Sequence, residues 1–208
     1  MIAPDVFRDQ PTLIGDRVRL EPLTPAVLED YRTALRDPEV TRLTGSHATR
    51  DRPTIEQWLA SRQDQDDRAD WAAIRITDGA FLGEAVLNQF DPANESASYR
   101  VWLAGPHLFG RGYGTEITRL VVDYALHTVG LHRLSLDVYD FNPRARRVYE
   151  KCGFRPEGVR REALLWDGQW HDELLMAVLR TDLQPGGGKE FSTEHSRVTG
   201  EGQAPDRS

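Results

Sequence analysis

The sequence predicts one α/β domain built on a mixed sheet, and three observations carry that prediction. Residues 71 to 88 hold two alternating segments joined by Asp78-Gly79, the pattern of a β-hairpin. Ile117, Leu120, Val121, Tyr124 and Ala125 recur at helical spacing, ahead of an alternating segment from Leu131 to Tyr139. Asp167-Gly168 then turns a closing hairpin. Strands, one long helix, another strand, a short helix and a terminal hairpin specify a sheet flanked by helices.

Taken in order, Arg17 to Pro22 alternates as a short strand. Thr24-Pro25 supplies an N-cap and an N1 proline for a helix reaching about Arg36. Pro53 to Gln63 is a second helix, with Ile55, Trp58 and Leu59 on one face. Strands follow at Trp71 to Thr77, Phe81 to Asn88 and Ser98 to Ala104. The long amphipathic helix stops at Gly130. Beyond the strand at 131–139, Asn142-Pro143 repeats the cap-plus-proline logic and opens a short helix that Gly153 ends. The last hairpin pairs Arg161 to Trp166 with Gln169 to Leu179. The folded domain is therefore read as residues 12–181. From 182 to 208 a Pro185-Gly186-Gly187-Gly188 run and a lone aromatic, Phe191, give a segment too polar to bury a core, read as a disordered tail.

Composition removes several classes of function. No apolar run reaches about 18 residues, so no membrane helix is expected. The N-terminus lacks a basic and apolar leader, and a single cysteine, Cys152, allows no internal disulfide; both fit a cytoplasmic protein. A net charge of −7 without a basic cluster is a poor match to nucleic acid. The six histidines show no metal-ligand spacing, so no metal is expected. Cys152, without a histidine at useful spacing, reads as a packed thiol rather than a nucleophile.

The chemistry-bearing run is Phe109-Gly110-Arg111-Gly112-Tyr113-Gly114, just before the long helix. Alternate glycines strip Cβ atoms from the turn. Successive N–H groups and the positive end of the helix dipole can then face an anion, above all a phosphate. A P-loop would need a lysine after the last glycine, and Tyr113-Gly114-Thr115-Glu116 has none. A dinucleotide fold would need the loop in the first βαβ unit, whereas this one lies past the midpoint. A turn whose glycines serve packing alone stays open at this point.

A second constellation begins 28 residues after Gly114: Asn142-Pro143-Arg144-Ala145-Arg146-Arg147-Val148-Tyr149-Glu150-Lys151-Cys152-Gly153-Phe154. Together the two runs resemble the GNAT N-acetyltransferase superfamily. Its motifs are Gln/Arg-x-x-Gly-x-Gly/Ala and Asn-x-x-Ala/Ser-x-x-x-Tyr-x-x-x-Gly-Phe. The second is matched throughout; the first is matched at Gly112 and Gly114, with Phe109 where Gln or Arg leads. Arg17 to Pro25, the strand ending Val101-Trp102-Leu103 and the closing Asp-Gly hairpin are similar to the branch containing the ribosomal-protein N-terminal acetyltransferases.

The resemblance implies the GNAT fold, a mixed, mostly antiparallel twisted sheet of six to seven strands, flanked by helices and splayed at its central strands. It implies acetyl-CoA as donor and a primary amine as acceptor, either a peptide N-terminus or a small molecule. Another acyl donor such as succinyl-CoA, or a catalytically silent acyl-CoA-binding domain, are the alternatives. The pyrophosphate is assigned to Phe109, Gly110, Arg111, Gly112, Tyr113, Gly114 and Thr115, with Arg111 offsetting the missing polar residue at Phe109. The pantetheine arm is assigned to the backbone of Val101, Trp102 and Leu103 and to Asn142. Tyr149 is the implied general acid for the departing thiolate. Two carboxylates compete as base: Asp137, five residues before Asn142 and at the spacing of a glutamate used by some relatives, and Glu84 on an earlier strand; water, as in many relatives, is the third alternative. The acceptor is expected against residues 36–52, the loop at 90–96 and the hairpin near Trp166 and Trp170. Homodimers are common in the family.

Overall fold

The computed structural model describes residues 2–47 and 50–183. The sequence-based tail over 184–208 lies outside them. Eight strands form one sheet: β1 (Leu13–Ile14), β2 (Val18–Pro22), β3 (Ala69–Arg75), β4 (Phe81–Asp91), β5 (Ser96–Leu103), β6 (Arg133–Tyr139), β7 (Arg155–Trp166) and β8 (Gln169–Leu179). Their order is β1-β2-β3-β4-β5-β6-β8-β7, with β5 and β6 the parallel pair and every other pair antiparallel. The eighth strand is β1, two residues long and so too short to show a period in the sequence.

Helices cover both faces. Helices α1 (Leu28–Ala34) and α3 (Arg52–Ala60) bury Leu28, Tyr31, Ile55 and Leu59 against Ala72 and Ile74 of β3. Helix α4 (Tyr113–Asp123), whose last turn Tyr124–Thr128 widens to a π-helix, packs Ile117, Val121 and Tyr124 against Trp71, Ala73, Ala85 and Tyr99 on the opposite face. Residues 69–74 of β3 are all buried, because this strand has a helical layer on each side. Helix α5 (Pro143–Lys151) is capped by Asn142, whose Oδ1 accepts the Ala145 N–H at 3.1 Å. None of the described helices is long and apolar enough to cross a membrane.

Three differences from the sequence-based layout have physical reasons. Helix α2 (Pro38–Leu43) was not expected; it is six residues long with only Val40 buried, so it has no readable period. Strand β7 starts at Arg155 rather than Arg161, since Pro156, Gly158 and two register shifts leave its first half exposed on both faces without alternation. The folded unit is also wider than 12–181. Phe7 is fully buried against Phe90, with ring centroids 5.0 Å apart, and Asp182 accepts the Leu179 N–H and pairs with Arg155.

Two irregularities interrupt the sheet near its centre. Strand β5 pairs with β6 only at Ser96–Arg133, Ala97–Leu134 and Ser98–Ser135, after which the two part. Strand β4 carries a bulge: Ala73 pairs with Gly83 while Ile74 pairs with Phe81. Leu82 and Ala85 both join the α4-side core as a result, and Glu84 turns to the other face, opposite Trp102. Gly83 allows this because an added Cβ would lie 2.0 Å from the Trp102 carbonyl oxygen.

Candidate active site

Where β5 and β6 part, a cavity of about 670 Å³ opens between the two helical layers. Its wall gathers Glu84, Val101, Trp102, Leu103, Phe109, Gly110, Gly112, Tyr113, Gly114, Thr115, Asp137, Asn142 and Tyr149. Of the residues assigned in the sequence to catalysis or to the cofactor, Arg111 alone is missing from this wall.

One end of the cavity is built for an anion. Gly110 and Gly112 have φ of +72° and +86°, a region that favours glycine, and α4 starts at Tyr113 without a side-chain cap. Glu116, in the first turn, is drawn away to β2: its Oε1 accepts the N–H groups of Arg17 at 2.7 Å and Val18 at 3.0 Å. Arg17 also donates to the Arg111 carbonyl at 3.0 Å and so straps the loop to the sheet. Behind the loop, Tyr99 donates to Thr118 Oγ1 at 3.1 Å, and Thr118 donates to the Gly114 carbonyl at 2.7 Å. The first-turn N–H groups are thus open while the loop is fixed. Facing them, Arg144, Arg147 and Lys151 of α5 bring three cations to the cavity wall. The Arg144 guanidinium lies 3.9 Å over the Phe109 ring. Phe109 thus holds a neighbouring arginine, and Arg144 lines the cavity where Arg111 does not. Uncapped N–H groups beside three cations fit the phosphates of coenzyme A.

The middle of the cavity holds Tyr149 and Asp137. Tyr149 is buried, and burial first, then the charge of Asp137, pushes its phenol well above the ordinary value; it keeps its proton at neutral pH. The Asp137 side chain is half exposed and lies 3.8 Å from the Arg160 guanidinium, which also pairs with the buried Glu173. Burial and the facing Asp137 carboxylate push Glu173 up to about 7. Cys152 is not part of this chemistry: burial raises its thiol to about 11, and its Sγ sits 3.7 Å from the Thr115 carbonyl.

At the far end Glu84 is buried beneath α1. Its Oε2 accepts from Tyr31 at 3.1 Å and from Trp102 Nε1 at 2.6 Å, while its Oε1 has no partner. Burial, then the charge of Asp70, pushes Glu84 up to about 7. Tyr31 packs on Trp58 at 5.6 Å and on Trp102 at 5.1 Å, which makes this end aromatic. Val40, Thr41, Leu43, Thr44, Ser46 and Arg50 close it from above.

Residues 17–155 match the acetyltransferase (GNAT) domain family. The chain belongs to the GNAT acetyltransferase family. A probable N-acetyltransferase of Bacillus subtilis is 34% identical over 122 residues, 58% of this chain and 67% of that protein. The ribosomal protein uS5-alanine N-acetyltransferase of Escherichia coli is 31% identical over 105 residues, 50% of this chain and 54% of its own length. The spermidine N(1)-acetyltransferase of Vibrio cholerae is 29% identical over 100 residues, 48% and 57%. The match thus spans little more than half of the last two. Among solved structures, a GCN5-related N-acetyltransferase from Brucella melitensis superposes with a TM-score of 0.70 at 26% identity, over 84% of this chain and 81% of that one. The Vibrio cholerae spermidine N-acetyltransferase solved with CoA and spermine shares the fold, with a TM-score of 0.74 at 19% identity over 81% and 98%.

Within this GNAT domain the acceptor wall departs from the sequence-based expectation. The stretch at 36–52 contributes, but residues 90–96 do not, because they join β4 to the start of β5, at the opposite end from the glycine loop. Of the hairpin, Trp166 stacks on His47 at 4.9 Å without lining the cavity, and Trp170 is exposed. Tyr31, Trp58, Arg100 and the α5 cations line it and were not singled out. The cations were readable: positions 144, 147 and 151 repeat at i, i+3 and i+7 from a capped start.

Proposed function

We propose that this protein transfers the acetyl group of acetyl-CoA to a primary amine by direct attack. The observation that carries the reading is a buried, protonated Tyr149 in the same cavity as the uncapped α4 N-terminus. The loop N–H groups with Arg144, Arg147 and Lys151 hold the phosphates. Backbone groups of Val101 to Leu103, left without a partner strand where β5 leaves β6, align the pantetheine arm. The amine nitrogen attacks the thioester carbonyl, the C–S bond breaks, and the thiolate takes the Tyr149 proton. The proton lost by the amine goes to Asp137, whose charge acts on Tyr149 and whose half-exposed side chain can pass it to water.

A second reading of the base rests on Glu84, which is buried in the cavity wall with one carboxylate oxygen left without a partner. Two variants separate the readings. If Asp137 is the base, D137N lowers kcat/KM at all pH values and E84Q leaves the acid limb in place; if Glu84 is, E84Q removes a limb near pH 7.

Thiol release from acetyl-CoA with a panel of amines tests the function itself. Y149F should lower kcat about a hundredfold, with acetyl-CoA affinity changed by less than about threefold. Equal rates for Y149F and the parent across pH would remove Tyr149 from the mechanism. Tight acetyl-CoA binding with no thiol release from any amine would favour a binding module. Succinyl-CoA, run in parallel, tests the donor.

A further inference from the structure

Charge at the acceptor end of the cavity is distributed unevenly. Three guanidiniums line it, from Arg50, Arg68 and Arg100. Arg68 is neutralised, since it makes two bonds of 2.6 Å to the buried Asp70. The carboxylates on the wall are also met: Asp137 has Arg160, and Glu84 has two neutral donors on Oε2. Arg100 differs. It projects from β5 on the face shared with Glu84 and Trp102, it is exposed to the cavity, and among the described residues no carboxylate pairs with it. Its charge reaches both Glu84 and Tyr31, holding each lower than burial alone would set it, so it sits beside them. If Arg100 served only to neutralise Glu84, the guanidinium would occupy Glu84 Oε1, and that oxygen has no partner. A forked donor without a carboxylate partner therefore faces the cavity at Arg100.

We infer that the acceptor amine carries a carboxylate within a few bonds, bound by Arg100, and that polyamines are disfavoured. The inference deepens the transferase reading above and rests on it. A bidentate guanidinium–carboxylate pair fits the free fork. A polyamine would bring further positive charges against Arg50 and Arg100, while Asp137 is held by Arg160 and Glu84 is buried under Tyr31 and Trp102. The carboxylate has two sources, the α-carboxylate of a free amino acid or an acidic side chain near a peptide N-terminus.

The test uses the full chain and thiol release from acetyl-CoA. Acceptors are free amino acids, peptides beginning Ala-Asp or Ser-Glu, the carboxamide counterpart of each, and spermidine. Carboxylate acceptors should exceed their carboxamides by about tenfold or more in kcat/KM, and spermidine should fall below both. The amino-acid and peptide arms identify the source. R100A should collapse the preference through KM for the acceptor, R100K should restore part of it, and the KM for acetyl-CoA should hold. Spermidine as the best acceptor, or an undiminished preference in R100A, overturns the inference while leaving the transferase reading intact. Calorimetry of N-acetylated Ala-Asp and Ser-Glu peptides, titrated into the CoA-saturated protein, separates the two. Binding lost in R100A supports the anion site even if no amine releases thiol. Absence of Arg100-dependent binding together with no turnover overturns it.

Discussion

Glu84 owes its chemistry to its surroundings. Folding raises its pKa from 4.5 to about 7, so the native state takes up a proton that the unfolded chain gives away. The associated stability is therefore complete below about pH 4.5 and is lost as the pH rises through 7. The loss has an upper bound on the order of 3 kcal/mol. Glu173 is raised in the same direction and adds to the decline. E84Q keeps an oxygen for Tyr31 and Trp102 but has no charge to bury. Its melting temperature should match the parent at pH 5 and exceed it at pH 8, measured by calorimetry without ligand. A constant difference between the two pH values would mean that the carboxylate is not the source. Arg144 shows the same dependence on surroundings: only the folded chain brings it to Phe109, thirty-five positions away in sequence.

Among the elements, the β4 bulge and α2 do most to shape the acceptor end. A Cβ at Gly83 would collide with the Trp102 carbonyl, so G83A must push apart the two strands that present Glu84 and the backbone of Val101 to Leu103. It should cost about 2–3 kcal/mol in denaturant unfolding and weaken acetyl-CoA binding at the same time. Loss of stability with unchanged affinity would uncouple the bulge from the cavity. A glycine inside an alternating strand is a recognised sign of a bulge, so this feature was legible in the sequence but had to be read against the alternation. Helix α2 was legible too. Asp37-Pro38 has the same cap-plus-proline form as Thr24-Pro25 and Asn142-Pro143, and Asp37 Oδ1 does accept the Glu39 and Val40 N–H groups. What hid it was its length, since six residues cannot show an amphipathic face. Helix α4 was read from its period and its Gly130 stop, and α5 from Asn142-Pro143 and Gly153, because each carries its signal locally. The placement of Arg100 on the face of Glu84 and Trp102 depends on strand register, and register is a non-local property.

At the scale of the whole molecule the core closes over a residue that the sequence-based boundary excluded. Phe7 is fully buried, lodged against Phe90 at the end of β4. F7A should destabilise the protein by about 3–5 kcal/mol, and a chain starting at residue 12 should lose a similar amount. Indistinguishable unfolding midpoints for the parent and the truncated chain would show that the segment contributes nothing. Eleven residues without a regular period gave no sign of this, because a single aromatic in a loop reads the same whether it is buried or not.

The brief contact between β5 and β6 has a further consequence. A sheet zipped over three residue pairs at its centre is two half-sheets, β1–β5 and β6–β8, meeting along a short seam. Beyond Ser98 and Ser135 the facing edges of β5 and β6 make no ladder with each other, though each still pairs with its outer neighbour. An extended pantetheine arm, with its own amides, would act there as a ninth strand. Loading acetyl-CoA would then complete secondary structure as well as fill a pocket. Amide hydrogen exchange should slow along 100–103 when acetyl-CoA is added, while β3, sealed on both sides, exchanges slowly with or without it.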